Sequence, residues 1–102
     1  MAKPIHYFIR CKVSPGLFDT ERQVIVELPT GQEYVAFVDA KNVKVKADDE
    51  PALNKPPVDG WVRVLPVEVK KNTSLVDLPQ GSFTEGPRIE VPSKDLISQP
   101  LS

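Results

Sequence analysis

Residues 26–43 read V-E-L-P-T-G-Q-E-Y-V-A-F-V-D-A-K-N-V, and residues 76–96 read V-D-L-P-Q-G-S-F-T-E-G-P-R-I-E-V-P-S-K-D-L. Both run Val, an acid, Leu-Pro, one variable residue, Gly, and then a strand ending in V-x-x-K-(N/D)-(V/L). Pro-x-Gly between β-rich runs is turn chemistry, because proline fixes φ and glycine supplies the positive φ that tight turns use. Each stretch therefore reads as strand, turn, strand, then one 3₁₀ turn. The second carries three more residues before its lysine, within 82–87, so its hairpin loop is longer and holds Phe83. The expectation is an all-β fold with single 3₁₀ turns and no long helix. It forms one domain over residues 1–102, with an internal pseudo-repeat (5–46 and 61–97) joined by a loop at 47–60.

The flanking segments agree with β structure. In residues 5–13, Ile5, Tyr7, Ile9, Cys11 and Val13 share one face, while His6, Phe8, Arg10 and Lys12 share the other. That alternation marks a half-buried strand, with Phe8 implying some cover on the polar face. In residues 22–28, Val24, Val26 and Leu28 point one way. Residues 33–39 are apolar on both faces, which predicts a central or covered strand. A short strand is expected at 43–46. Residues 47–60 hold four acids, three prolines and a glycine, so they read as a solvated connector. Residues 61–71 contain a phase error. Val62 and Val64 are at even positions, Val67 and Val69 at odd ones, and Pro66 between them lacks the N–H of a ladder donor. A bulge or bend at Leu65-Pro66 accounts for both, and lets one strand serve two sheets. Residues 88–91 close the second hairpin with Ile89 and Val91 inward, and residues 98–102 read as frayed.

Composition narrows the function classes. Eleven prolines among 102 residues oppose long helices. The net charge is −1, and neither half carries the basic excess that phosphate neutralisation needs, so nucleic acid is not the expected partner. Cys11 is the only cysteine and has no partner for an internal disulfide. No apolar run is long enough to span a membrane as a helix. Residues 1–12 lack the features of a signal peptide, which makes the cytoplasm the expected location.

The hairpin followed by V-D-A-K-N-V-K-V, or by V-P-S-K-D-L-I, resembles the end of an SH3-like small barrel. In such barrels a fourth strand, a single 3₁₀ turn and a short last strand close the structure. The resemblance covers residues 5–46 best and residues 61–97 less well, and it implies a barrel whose first long loop lies at residues 14–21. It does not imply polyproline binding. The aromatic-acidic stretch, the tryptophan after the second strand and the proline-tyrosine pair of signalling SH3 domains do not occur here in that order. Trp61 precedes a different strand.

No catalytic or cofactor constellation is legible. His6 and Cys11 fall on opposite faces of one strand, which excludes a zinc site built on them. Asp48-Asp49-Glu50 lacks the spaced ligands of a calcium loop and reads as a solvated acidic turn. His6 reads as a surface side chain and Cys11 as a small buried hydrophobe. No cofactor, no metal and no enzyme activity are therefore expected. Two features point to partners. Leu17 and Phe18, in the loop after Ser14-Pro15-Gly16, either fold back as a lid over the barrel end or stand out as a contact. With Phe83 they form the candidate protein-binding surface. Lys41, Lys44, Lys46, Lys70 and Lys71 form a candidate basic patch, or else guard edge strands against aggregation. The expected function is a non-catalytic protein-binding module, monomeric or weakly dimeric. A self-associating structural protein and a weak nucleic-acid binder using the lysines are the alternatives.

Overall fold

The computed structural model describes residues 5–46, 50–80 and 86–100. It is an all-β fold with no helix among the described residues beyond two single 3₁₀ turns. The strands are β1 (Ile5–Pro15), β2 (Glu21–Glu27), β3 (Glu33–Asp39), β4 (Val43–Val45), β5 (Val58–Val69), β6 (Thr73–Asp77), β7 (Arg88–Pro92) and β8 (Leu96–Pro100). The 3₁₀ turns are Ala40–Asn42 and Ser93–Asp95. All pairings are antiparallel, in the order β3-β2-β1-β5-β6-β7, and the sheet curls into a half-barrel. β4 lies on β5 and β8 lies on β1. The last strand of each half thus crosses to the long strand of the other half, instead of closing over the long strand of its own.

β1 and β5 form the central ribbon, from Tyr7 opposite Val64 to Val13 opposite Val58. Their inward side chains, with those of the two hairpins, make one cluster: Ile9, Cys11, Val13, Val24, Val26, Tyr34, Ala36, Val38, Val62, Val64, Val76, Leu78, Ile89 and Val91. β-Branched residues dominate it, as a pleated, half-buried surface favours. Burial of this apolar area is the main stabilising contribution.

The turns follow the residue chemistry. Gly31 adopts φ +89°, and hydrogen bonds from Gly31 N to Leu28 O (2.9 Å) and from Leu28 N to Gln32 O (2.8 Å) close the first hairpin. With open space around its Cα, Gly31→Ala costs only the left-handed strain, about 1 kcal/mol. A urea melt reads this directly, and an unchanged midpoint would contradict the turn geometry. In the second hairpin, Leu78 N donates to Pro87 O (2.9 Å), and Arg88 grips Asp77 through two bonds of 2.9 and 3.2 Å. The Arg88 guanidinium holds the Asp77 carboxyl below its ordinary range. Both 3₁₀ turns are tied to the loop preceding their hairpin: Ala40 N donates to Thr20 O and Ser93 N to Asn72 O. Buried Ser74 is satisfied through Ser93 Oγ at 2.7 Å, and Ser93 Oγ donates in turn to Lys70 O at 2.6 Å.

The phase error in β5 is a register shift between Pro66 and Glu68. Before it β5 pairs β1 and β4, and after Val64 it pairs β6, so one strand does serve both sheet regions. Several expectations need correction. β3 is not central; it stands at one end of the strand order. Val35 on its outer face is exposed, and two hydrogen bonds tie the strand to the ends of the second hairpin's loop. Tyr34 Oη donates to Gly86 O at 2.7 Å, and Asp39 N donates to Gln80 Oε1 at 3.1 Å. The connector ends earlier than expected, because Val58–Gly60 already belong to β5 and pair with β1. Residues 98–100 are not frayed; they continue β8 along the stretch of β1 that β2 leaves unpaired. Ile5, though in phase with the core, is 56% exposed because it lies beyond the packed part of the ribbon.

Candidate binding surface

The loop joining β1 to β2 is short and tightly bonded. Gly16 N donates to Glu21 O (3.1 Å), Glu21 N to Phe18 O (3.0 Å) and Leu17 N to Glu21 Oε1 (3.1 Å). Arg22 Nη1 reaches Asp19 O at 2.8 Å and Glu21 O at 2.9 Å. A Cβ on Gly16 would lie 2.7 Å from the Glu21 carbonyl, so the loop's base leaves no room for a side chain there. On this ordered base Leu17 is 73% and Phe18 70% exposed. They do not fold over the barrel end as a lid. The bonds that fix the loop use its backbone and the polar side chains of Glu21 and Arg22, which turns the two apolar side chains outward. Phe83, the third member of the expected surface, lies outside the described residues.

The five lysines do not form one patch. Lys44 stands on β4 beside Trp61 of β5, and Lys46 follows it. Lys70 and Lys71 come after the far end of β5, up to about 30 Å away along the strand. Lys70 Nζ pairs with Glu68 at 3.2 Å. Lys41, in the first 3₁₀ turn, lines a recess with Asp19, Thr20 and Asp39.

The structure gathers a different basic group, on the outer face of the central ribbon. There Phe8 is opposite Arg63, Arg10 opposite Trp61, and Lys12 opposite Asp59. Lys12 is bonded to Asp59, whose carboxyl is held below its ordinary range by that bond and by the charges of Lys12, Arg10 and Lys46. Phe8 is only 5% exposed, with Lys44 Nζ 4.8 Å above its ring and bonded to Gln99 Oε1 at 3.2 Å. This is the cover that Phe8's place on the polar face implied. Arg10 was legible as an outward residue of β1, but its adjacency to Trp61 depends on a long-range pairing that no local pattern encodes.

Other chemistry is sparse. His6 is half-buried opposite Gln99 on β8. Cys11 is buried, and desolvation, reinforced by the Asp59 charge, pushes its thiol up to about 12. No group of three or more His, Cys, Asp or Glu is arranged to hold a metal among the described residues. Of Asp48-Asp49-Glu50, only Glu50 falls within them. No helix among the described residues is long and apolar enough to cross a membrane. Comparison with protein-family models, with curated proteins and with solved structures gives no match.

Proposed function

We propose that the chain is a non-catalytic protein-binding module of SH3-like design, one domain built from an internal repeat (5–46 and 61–97), and that it contacts its partner through Leu17 and Phe18. The observation that carries this reading is the pairing of two large exposed apolar side chains with a loop whose backbone is already fixed. Presentation on a rigid base reduces the ordering cost of association, and adjacent bulky anchors are what an apolar cleft on a protein partner accepts. Cys11, buried and without a disulfide partner, is compatible with a reducing compartment, and we assign the module to the cytoplasm.

The test is affinity capture from lysate with the intact chain and with a Leu17→Asp/Phe18→Asp variant. Both side chains are mostly in water, so the variant stays folded and changes stability by no more than about 0.5 kcal/mol. A protein captured by the intact chain and lost by the folded variant, with affinity reduced about 100-fold or more, supports the surface. Equal capture by both places the contact elsewhere. A mass that rises with concentration in light scattering, and returns to the monomer value in the variant, assigns the same loop to self-association.

A further inference from the structure

The outer face of the β1–β5 ribbon is distinct from the Leu17–Phe18 loop and goes beyond the protein-binding reading. The two long strands match along it. Phe8-Ile9-Arg10 and Trp61-Val62-Arg63 share the order aromatic, aliphatic, arginine, and the strand pairing sets each aromatic opposite the other strand's arginine. Ile9 pairs with Leu96 of β8 as Val62 pairs with Val43 of β4. The two aromatic positions nevertheless differ. Lys44, next after Val43, reaches over Phe8 and is braced by Gln99. The matching residue, next after Leu96, is Ile97, which has no ammonium to place over Trp61. Phe8 is buried, whereas Trp61 is half-exposed, with no cation over its ring and no hydrogen bond among the described residues.

Cations border this partly exposed ring. Arg10 and Lys44 flank Trp61 on the neighbouring strands, each about 5 Å away across the sheet, and Arg63 follows on the same face about 7 Å along β5. Arg10, Arg63 and Lys44 make no ion pair among the described residues. The nearest acid on the same face, Asp59, is engaged by Lys12. Arg10 shares a notch with Glu27, Glu33 and Asp95, which offset part of its charge and make Lys44 and Arg63 the stronger anion contacts.

We infer that this face binds single-stranded nucleic acid, with a base stacked on Trp61 and the backbone phosphates on Lys44, Arg10 and Arg63. A partly exposed indole bordered by cations outside any ion pair meets both needs of a single strand, a stacking platform and neutralisation of its backbone. A duplex keeps its bases in the stack and offers none to the ring. An acidic peptide would satisfy the cations and leave the indole unused. The near-neutral net charge of the chain is no obstacle, since the strand pairing, not the composition, brings these cations together.

Trp61 is the only tryptophan, so its fluorescence reports the site directly. The probe is an oligothymidylate of about 12 nucleotides, titrated into the full chain at about 50 mM and about 200 mM salt. Quenching that saturates is expected, with log K falling against log salt at a slope near −2 for three phosphate contacts. Arg10→Ala/Arg63→Ala weakens binding about 10-fold or more and makes that slope shallower. Trp61→Ala, read by anisotropy of a labelled oligonucleotide, weakens it about 10-fold. Lys70→Ala/Lys71→Ala leaves it unchanged. Circular dichroism checks each fold, and should Trp61→Ala unfold, quenching of the unaltered chain and the arginine variant decide. Absence of quenching at low salt overturns the inference. So does equal binding of duplex of the same sequence, or equal quenching by polyglutamate, which would reassign the face to an acidic protein segment.

Discussion

Gly60→Val will destabilise the fold by about 3 kcal/mol or more, and Gly60→Ala by about 2 kcal/mol, in urea melts. Gly60 is buried in β5, opposite Cys11 on one side and Val45 on the other. A Cβ built there would stand 2.6 Å from the Lys44 carbonyl oxygen, 2.9 Å from Val13 Cγ2 and 3.0 Å from Val45 Cγ1. The nearest of these is backbone, so relief requires β4 to move off β5. The cost is one of space, since the backbone of Gly60 is not in the left-handed region. Because Lys44 lies on the displaced strand, the variant should also lose the cover over Phe8. Wild-type stability in Gly60→Val would mean that β4 does not pack on β5 as described.

The second large effect is on the pH dependence of stability. Burial and the Asp59 charge raise the Cys11 thiol from 9.0 to about 12 in the folded chain. Between those values the unfolded chain has lost its thiol proton while the folded chain keeps it. The unfolded state then binds fewer protons, so stability falls as pH rises. The contribution is fully present below about pH 9. It declines by about 1.4 kcal/mol per pH unit above that, approaching about 4 kcal/mol by pH 12. The test is a difference, which isolates the thiol from everything else that alkaline solution changes. Unfolding free energies of the unaltered chain and of Cys11→Ala are compared from pH 8 upward. The variant starts lower because of its cavity, and the gap should close as pH rises. Parallel curves would show that Cys11 is open to solvent in the folded state.

What was legible in the sequence is what is local. The alternation through Ile9, Cys11 and Val13, the turn at Pro29-Thr30-Gly31, the 3₁₀ turns and the break at Pro66 each depend on residues a few positions apart. The misses share the opposite property. The apolar Val35 and Phe37 read as a central strand, yet β3 stands at one end of the sheet with Val35 exposed, and its ties run to Gln80 and Gly86, distant in sequence. Residues 98–100 looked frayed because nothing nearby holds them; their partner is the start of β1. The five lysines fall in two short stretches of sequence, whereas the sheet brings Lys44 to the face of Arg10 and Arg63 and leaves Lys70 and Lys71 at a far end. The outward placement of Leu17 and Phe18 was one of two open alternatives, and only the hydrogen bonds of Glu21 and Arg22 distinguish it from a lid.

The crossing of β4 onto β5 and of β8 onto β1 has a consequence for synthesis on the ribosome. When only the first half has emerged, β4 has no strand to receive it, and β1 lacks both β5 and β8. The β2–β3 hairpin can form from local contacts, but the ribbon that anchors the core must wait for β5, and the edge of β1 stays uncovered until residues 96–100 arrive. Contacts of such long sequence separation form slowly, because loop closure precedes the stabilisation they bring. The nascent segment should therefore remain protease-sensitive until residues 96–100 have emerged and then become resistant in a single step, rather than half by half.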